Sequence, residues 1–218
     1  MTNDAIFGAA ARIEEMRNNQ VKGNLVLSRR WFLAERGGPE AVNRVTSKLA
    51  PAALELLERT VMPFAWYPFG LLMDIDAAIA SEVMGGNVTR MRDFGHDLGM
   101  RDIEGVYRVF LSVASPVFAL SKVSALGSLY FRESTLAFIS TGRVQGEVEL
   151  VGRSMPLYMC QYGIVGWLTA VLEVAKATGI EVVHTSCVHE GAFRCRWHCD
   201  WAFSGRTVRS PSGPRFGS

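Results

Sequence analysis

The chain has 218 residues, of which 49% are apolar and 20% carry a charge. This composition excludes a disordered protein, a collagen-like fibre and a disulfide-dense secreted scaffold. A chain of this length buries roughly 70% of its unfolded surface, so it needs no disulfide or metal ion merely to fold. With 23 Lys and Arg against 21 Asp and Glu, the net charge of +2 is too small to predict nucleic-acid binding.

The N-terminus lacks the pattern of a secretory signal, because its apolar run 5–11 is short, follows Asp4 and leads into Arg12. The uncharged stretch 154–172 contains Pro156 and has no flanking charges that would set a topology. It is therefore interpreted as a helix in a protein core and not as a membrane span. We expect a cytoplasmic protein with no membrane span, in which the four cysteines are thiols or ligands rather than disulfides.

The first half of the chain has helical periodicity. Apolar residues two turns apart share one face of a helix predicted within 3–17, so residues 1–20 are expected to form an N-terminal brace. Later helical stretches include one over 69–84 and a long apolar segment over 106–130, which Pro116 interrupts. The N-terminal half is therefore predicted to be mostly helical.

The hydrophobic period becomes twofold in the second half. A hairpin that turns at Thr141-Gly142 precedes a helix over 156–178 and a strand over 180–187. A last strand is predicted over 192–203, with an apolar face formed by Phe193, Cys195, Trp197, Cys199, Trp201 and Phe203. This order predicts an α+β fold, with a helical N-terminal half packed on a small antiparallel sheet and a β-β-α-β-β C-terminal half.

We expect residues 21–203 to form a single domain, because no linker or internal repeat divides them. The segment 204–218 is rich in Gly, Pro and Ser, contains three arginines and has no acidic residue. It is predicted to be a flexible basic tail. Without it, residues 1–203 have one more acidic than basic group, so the domain itself gives no electrostatic reason to expect nucleic acid.

Three cysteines and one histidine are predicted to come together in the second half. Cys187 and Cys195 flank the loop of the last hairpin, and His184 precedes Cys187 by three residues. A helix packed on that layer would bring Cys160 towards them, and three thiolates with one imidazole are a normal zinc set. Cys199 cannot join Cys195, because four residues along a strand separate them by ~13 Å. The candidate cofactor is a structural zinc; the alternative is that the cysteines are small buried apolar residues.

An apolar pocket is the second candidate site. Its predicted lining comes from elements that should pack together: Phe110, Phe118, Met159, Trp167, Trp197 and Trp201. The helix that Pro116 interrupts would leave a cavity or a mobile wall beside them. The alternative is an ordinary aromatic core, because aromatics at helical or strand spacing usually only pack.

The sequence contains no catalytic constellation. It has no G-x-S-x-G, P-loop or dinucleotide fingerprint. Two glycines in the pattern Gly163-x-x-Gly166 are not enough to predict a phosphate-binding loop. They are expected to let their helix approach the sheet closely. Asp93, His96 and Asp97 can share a helix face, which is typical of a solvated face. We therefore expect that the chain is not an enzyme.

The C-terminal half resembles a known kind of domain. The segments YMCQYGIVGWLTAVLEVA and VVHTSCVHEGAFRCRW combine a cysteine-bearing helix with a hairpin that carries Cys187, Gly191 and Cys195 as C-x-x-x-G-x-x-x-C. This arrangement resembles the 4-vinyl reductase domain of the nitric-oxide-signalling and Golgi-transport ligand-binding superfamily. The upstream stretches VKGNLVLSRRWFLAERGG and WYPFGLLMDI are similar to an uncharacterised protein family common in myxobacteria.

The resemblance carries implications for the metal site. In phenol-sensing regulators of that superfamily, a helix cysteine, a glutamate and two hairpin cysteines hold a zinc. The matching positions here are Cys160, Cys187 and Cys195, and His184 stands where the glutamate would be. Histidine is an acceptable zinc ligand, so the resemblance adds to the expectation of zinc.

The resemblance and the aromatic composition together lead to one preferred function. We expect a ligand-binding-type domain that binds a small hydrophobic molecule and acts as a sensory module through a partner protein or a homodimer. The alternative is an assembly subunit of the same fold with no ligand, as in trafficking complexes. An accessory role in tetrapyrrole reduction, which the name of the domain implies, has no redox-cofactor motif to support it.

Overall fold

The computed structural model describes residues 10–103, 115–122, 125, 127 and 130–203. The elements of the N-terminal half are α1 Ala10–Arg17, β1 Gln20–Lys22, α2 Gly23–Phe32, α3 Gly38–Thr46, α4 Pro51–Glu58, β2 Trp66–Pro68, α5 Phe69–Glu82, α6 Met91–Asp102 and α7 Pro116–Ser121. Those of the C-terminal half are β3 Ser134–Ser140, β4 Gln145–Gly152, α8 Ile164–Val174, β5 Ala177–Ser186 and β6 Arg196–Phe203. The predicted tail 204–218 and residues 1–9 lie outside the described residues.

The α+β prediction is confirmed. Helices fill the N-terminal half, and β3, β4, β6 and β5 form one antiparallel sheet in that order. The β3–β4 hairpin turns where the sequence predicts, since the Thr141 N–H donates to the Gln145 carbonyl. Within the described residues, no helix is long and apolar enough to cross a membrane.

The last strand is shorter than its alternation predicts. Cys195, Trp197, Cys199 and Trp201 share the buried face, as expected. Phe193 lies in the hairpin loop before β6 and is 89% exposed, and Phe203 at the far end is 45% exposed. The pattern therefore identifies the face that packs on the core but does not identify the ends of the strand.

The helix predicted over 156–178 is divided. A π-helical turn, Met159–Gly163, leads into α8, and the chain is already in β5 at Ala177. Lys176 makes this reversal with a positive φ of 58°. One extra residue in a turn widens the helix locally, and such π-turns are frequent at functional sites.

Glycines let α8 approach α6, not the sheet as the sequence led us to expect. A Cβ at Gly166 would collide with the carbonyl oxygen of Arg92 on α6, and a Cβ at Gly95 on α6 would collide with the backbone of Gly163. The helices can meet this closely only because both contact faces lack side chains at these points. Their packing places the π-turn directly beside α6.

Candidate functional site: an apolar cavity and a thiol cluster

A small apolar cavity of about 70 Å³ lies where the helical half meets the sheet. Its walls come from α2, α6, β3, the π-turn and α8, and from residues just before β3. The lining residues are Leu25, Arg29, Met91, Phe94, Gly95, Leu98, Gly127, Tyr130, Phe131, Leu136, Tyr158, Met159, Gly163, Ile164 and Trp167. Most of these side chains are hydrocarbon, aromatic or thioether groups, so the cavity favours an apolar guest.

One part of the cavity wall is a buried ion pair. Arg29 on α2 donates from Nε and Nη2 to the two carboxylate oxygens of Asp76 on α5, both at 2.9 Å. The Tyr158 hydroxyl donates to the same carboxylate at 2.5 Å. Arg29 is 2% exposed and Asp76 is fully buried. The pair links three elements and neutralises the one cationic side chain in the described lining.

Tyr158 stays neutral in this environment. Burial raises the pKa of Tyr158 well above 10, and the negative charge of Asp76 adds to that effect. The hydroxyl is therefore a hydrogen-bond donor to Asp76 throughout the physiological range. A guest in the cavity meets a neutral phenol and a compensated guanidinium, so the site selects neither anions nor cations.

Some of the predicted pocket residues line the cavity and others do not. Met159 and Trp167 line the cavity. Trp197 and Trp201 are buried on the inner face of β6 but are not part of its lining, and Phe118 on α7 is 38% exposed. Phe110 lies outside the described residues.

Sequence reasoning missed the charged part of the wall. Arg29 and Asp76 are 47 positions apart, and Tyr158 is a further 82 positions along the chain. The segment FGLLMDIDAAIA carries two aspartates, Asp74 and Asp76, in an otherwise apolar helix, and this is the one signal that could have indicated a buried partner.

The predicted metal residues do lie close together. Ligand atoms of His184, Cys187 and Cys195 fall within 4.8 Å of one another. Cys160 contacts Cys195, with 3.6 Å between the two sulfurs, but is not part of that triad. Cys199 is buried separately, opposite Gly146 and Val182 in the sheet.

Two thiols of this cluster, Cys187 and Cys195, have raised pKa values. A hydrogen bond to Cys195, together with burial, raises the pKa of Cys187 far above that of a free thiol. Hydrogen bonding to Cys160, and then burial, raises the pKa of Cys195 from 9.0 to about 12. Protonated, buried thiols pack as small apolar groups, which is the alternative that the sequence left open.

Comparison with known proteins identifies the fold. No family model matches the sequence, and no curated protein does. An Fe(II) unliganded H-NOX protein from K. algicida is 10% identical with a TM-score of 0.65, covering 85% of this chain and 98% of its own. An S. oneidensis H-NOX protein in the Fe(II)NO ligation state is 15% identical with a TM-score of 0.64, covering 83% and 99%. A third structure, from a study of heme distortion in the H-NOX family, is 16% identical with a TM-score of 0.58, covering 87% and 98%.

The chain has the fold of H-NOX domains. This agrees with the resemblance to the nitric-oxide-signalling superfamily, while its narrower part, the 4-vinyl reductase domain and the myxobacterial family, gains no support from the comparisons. The expectation of a structural zinc as the cofactor is wrong. Two of the solved structures that share this fold are in Fe(II) states, and the third comes from a study of heme distortion. The structure also leaves the predicted ligand set incomplete, because Cys160 lies outside the triad of His184, Cys187 and Cys195.

Proposed function

We propose that this chain is a sensory module that binds a neutral, apolar molecule of a few heavy atoms in the cavity. The observation that carries the proposal is the cavity itself, which is apolar and sits between the helices and the sheet of an H-NOX fold. The neighbour in the Fe(II)NO ligation state supports this proposal, because it shows a protein of this fold with a small ligand bound. Output would pass through a partner protein or a second copy of the chain.

Heme does not fit the residues of this cavity. All four histidines lie among the described residues, and none of them lines the cavity. His96 contacts Glu173 at 2.8 Å, and His189 contacts the Met155 carbonyl at 2.7 Å. The free space of about 70 Å³ is also far below the roughly 300 Å³ at which sites for larger ligands begin. The proposed ligand therefore binds without heme.

The size of the cavity limits the ligand. Apolar cavities of about 150 Å³ bind benzene, and this cavity has about half of that volume. Met91 and Met159 both line it, and methionine side chains adjust readily to the shape of a guest. The cavity should therefore accept guests of a few heavy atoms directly, and benzene after the methionines move.

Benzene and hemin are the probes that test the proposal. Benzene at ten times its Kd should raise the Tm of the full chain by about 3–6 °C, because it binds only the folded state. Hemin should give neither a Tm shift nor a sharp Soret band. Stabilisation by hemin and not by benzene contradicts the proposal, and no response to either probe favours the assembly subunit.

A cavity-filling variant makes the test specific. Leu98 lines the cavity and is 6% exposed, so Leu98→Phe should occupy the space and abolish the Tm shift caused by benzene. Leu71→Phe is the matched control, because Leu71 is partly buried on α5 and does not line the cavity. A benzene response that survives in Leu98→Phe would place the benzene site elsewhere.

A further inference from the structure

A basic and aromatic surface lies beside the short β1–β2 sheet. We call it the basic–aromatic tip and define it by Lys22, Met62, Phe64, Trp66 and Arg132. Met62 is 62% exposed and Phe64 is 82% exposed. Exposed apolar side chains that are grouped, rather than scattered singly, indicate an interaction site.

The loop that carries Met62 and Phe64 is held in place by the fold. Backbone N–H groups of Gly23 and Asn24 donate to the carbonyls of Ala65 and Pro63, each at 3.0 Å. A Cβ at Gly23 would collide with the carbonyl oxygen of Met62, so glycine is needed where the loop lies against the chain. The exposure of the apolar side chains is therefore fixed by well-made contacts and is not a consequence of a loose segment.

Two cations frame the aromatic ring of the tip. The Lys22 ammonium lies 3.8 Å from the centre of the Trp66 ring, and the Arg132 guanidinium lies 5.9 Å from it. The Lys22 ammonium also donates to the Phe64 carbonyl at 2.7 Å. Among the described residues, neither cation forms an ion pair with a carboxylate, so both keep their positive charge for an outside partner.

We infer that the basic–aromatic tip binds an anionic lipid surface. Two neighbouring apolar side chains, Met62 and Phe64, are largely exposed, which suits insertion between lipids, whereas a protein partner would need a matching pocket. Trp66 occupies the boundary position that tryptophan prefers at membrane interfaces, and the two cations face the anionic headgroups. The binding is peripheral, with Met62 and Phe64 as the inserted groups.

Vesicle co-sedimentation of the full chain tests this inference. Vesicles with about one third phosphatidylserine should bind the chain, and pure phosphatidylcholine vesicles should bind it at least tenfold more weakly. High salt should weaken the binding to anionic vesicles, because it screens the cations. Arg132→Gln should weaken it about fivefold, the effect of one cation near an anionic surface.

Paired variants separate insertion from general stickiness. Met62→Ser combined with Phe64→Ser should abolish vesicle binding, with an unchanged Tm because both side chains are exposed. Phe193→Ser is the control, because Phe193 is as exposed but lies in the last hairpin. Equal binding to neutral and anionic vesicles, or an equal loss in Phe193→Ser, overturns the inference. The inference is also overturned if the wild type forms a dimer and does not bind vesicles, and if the double variant is a monomer.

Discussion

The carboxylate of Asp76 holds three elements together through two residues that reach it from far along the chain. Arg29 and Tyr158 both donate to it, and all three side chains are buried. Removing a carboxylate from such a pair leaves an uncompensated buried charge, which costs far more than losing one neutral donor. We therefore expect substitution of Asp76 to destabilise the protein strongly.

Asp76→Ala should lower the free energy of unfolding by about 3–5 kcal/mol, because the Arg29 charge stays buried without a partner. Tyr158→Phe should lower it by about 1–3 kcal/mol, because Arg29 still satisfies Asp76. Urea denaturation measures both. Asp74→Ala is the matched control: its pair with Arg17 is about one-third exposed, so about 1 kcal/mol or less is expected. Equal losses in Asp76→Ala and Asp74→Ala would contradict this role.

The sequence could not predict this pair. Arg29 sits in a segment with two adjacent arginines, and only the tertiary structure determines which of them turns inwards. Arg30, its neighbour, instead donates to the backbone carbonyls of Leu56 and Arg59. By contrast, the closeness of His184, Cys187 and Cys195 was predictable, because they flank one hairpin and strand pairing sets their spacing.

At the scale of elements, the contact between α6 and α8 determines the position of the cavity. Gly166→Ala should lower the free energy of unfolding by about 1–3 kcal/mol, because its Cβ would collide with the backbone of Arg92 and push α6 away. Gly163→Ala is the control in the same helical segment, because the nearest atom to its Cβ would be Met159 Cγ at 3.6 Å. Thermal denaturation distinguishes the two. Equal stability of Gly166→Ala and wild type would show that the helices are not in close contact.

Hydrophobic period predicts elements better than it predicts their ends or partners. The alternation in β6 gives the buried face of Cys195, Trp197, Cys199 and Trp201 directly. The π-turn is not encoded in any such period, because Met159–Gly163 continues the apolar stripe of α8 without a break. Close packing of α8 on α6 is also invisible to periodicity, since a glycine contributes no hydrophobic signal.

For the molecule as a whole, buried acids make stability fall in alkaline solution. Burial raises the pKa of Tyr158 well above 10, and the pKa values of Cys195 and Cys199 are raised from 9.0 to about 12. The folded state keeps these protons, whereas the unfolded chain releases those of the cysteines above about pH 9 and that of Tyr158 above about pH 10. The stabilising contribution is therefore full below pH 9 and is lost as the pH rises towards the folded values.

Each such group should lower the free energy of unfolding by about 1.4 kcal/mol per pH unit in that window. Urea denaturation between about pH 8 and pH 10.5 measures the slope. Cys199→Ala should make the slope shallower by one group, because Cys199 is buried away from the thiol cluster. A free energy of unfolding that stays constant across the range would mean that these groups ionise equally in both states.

We propose that a fold shared with heme proteins here contains a cavity for a small apolar guest. A crystal structure determined under xenon pressure tests it most directly, because xenon enters dry apolar cavities and is located by its electron density. We expect one xenon atom among Leu98, Leu136, Met159 and Trp167, and no atom there in Leu98→Phe. A cavity filled by ordered water under xenon pressure, or xenon bound only elsewhere, would contradict it.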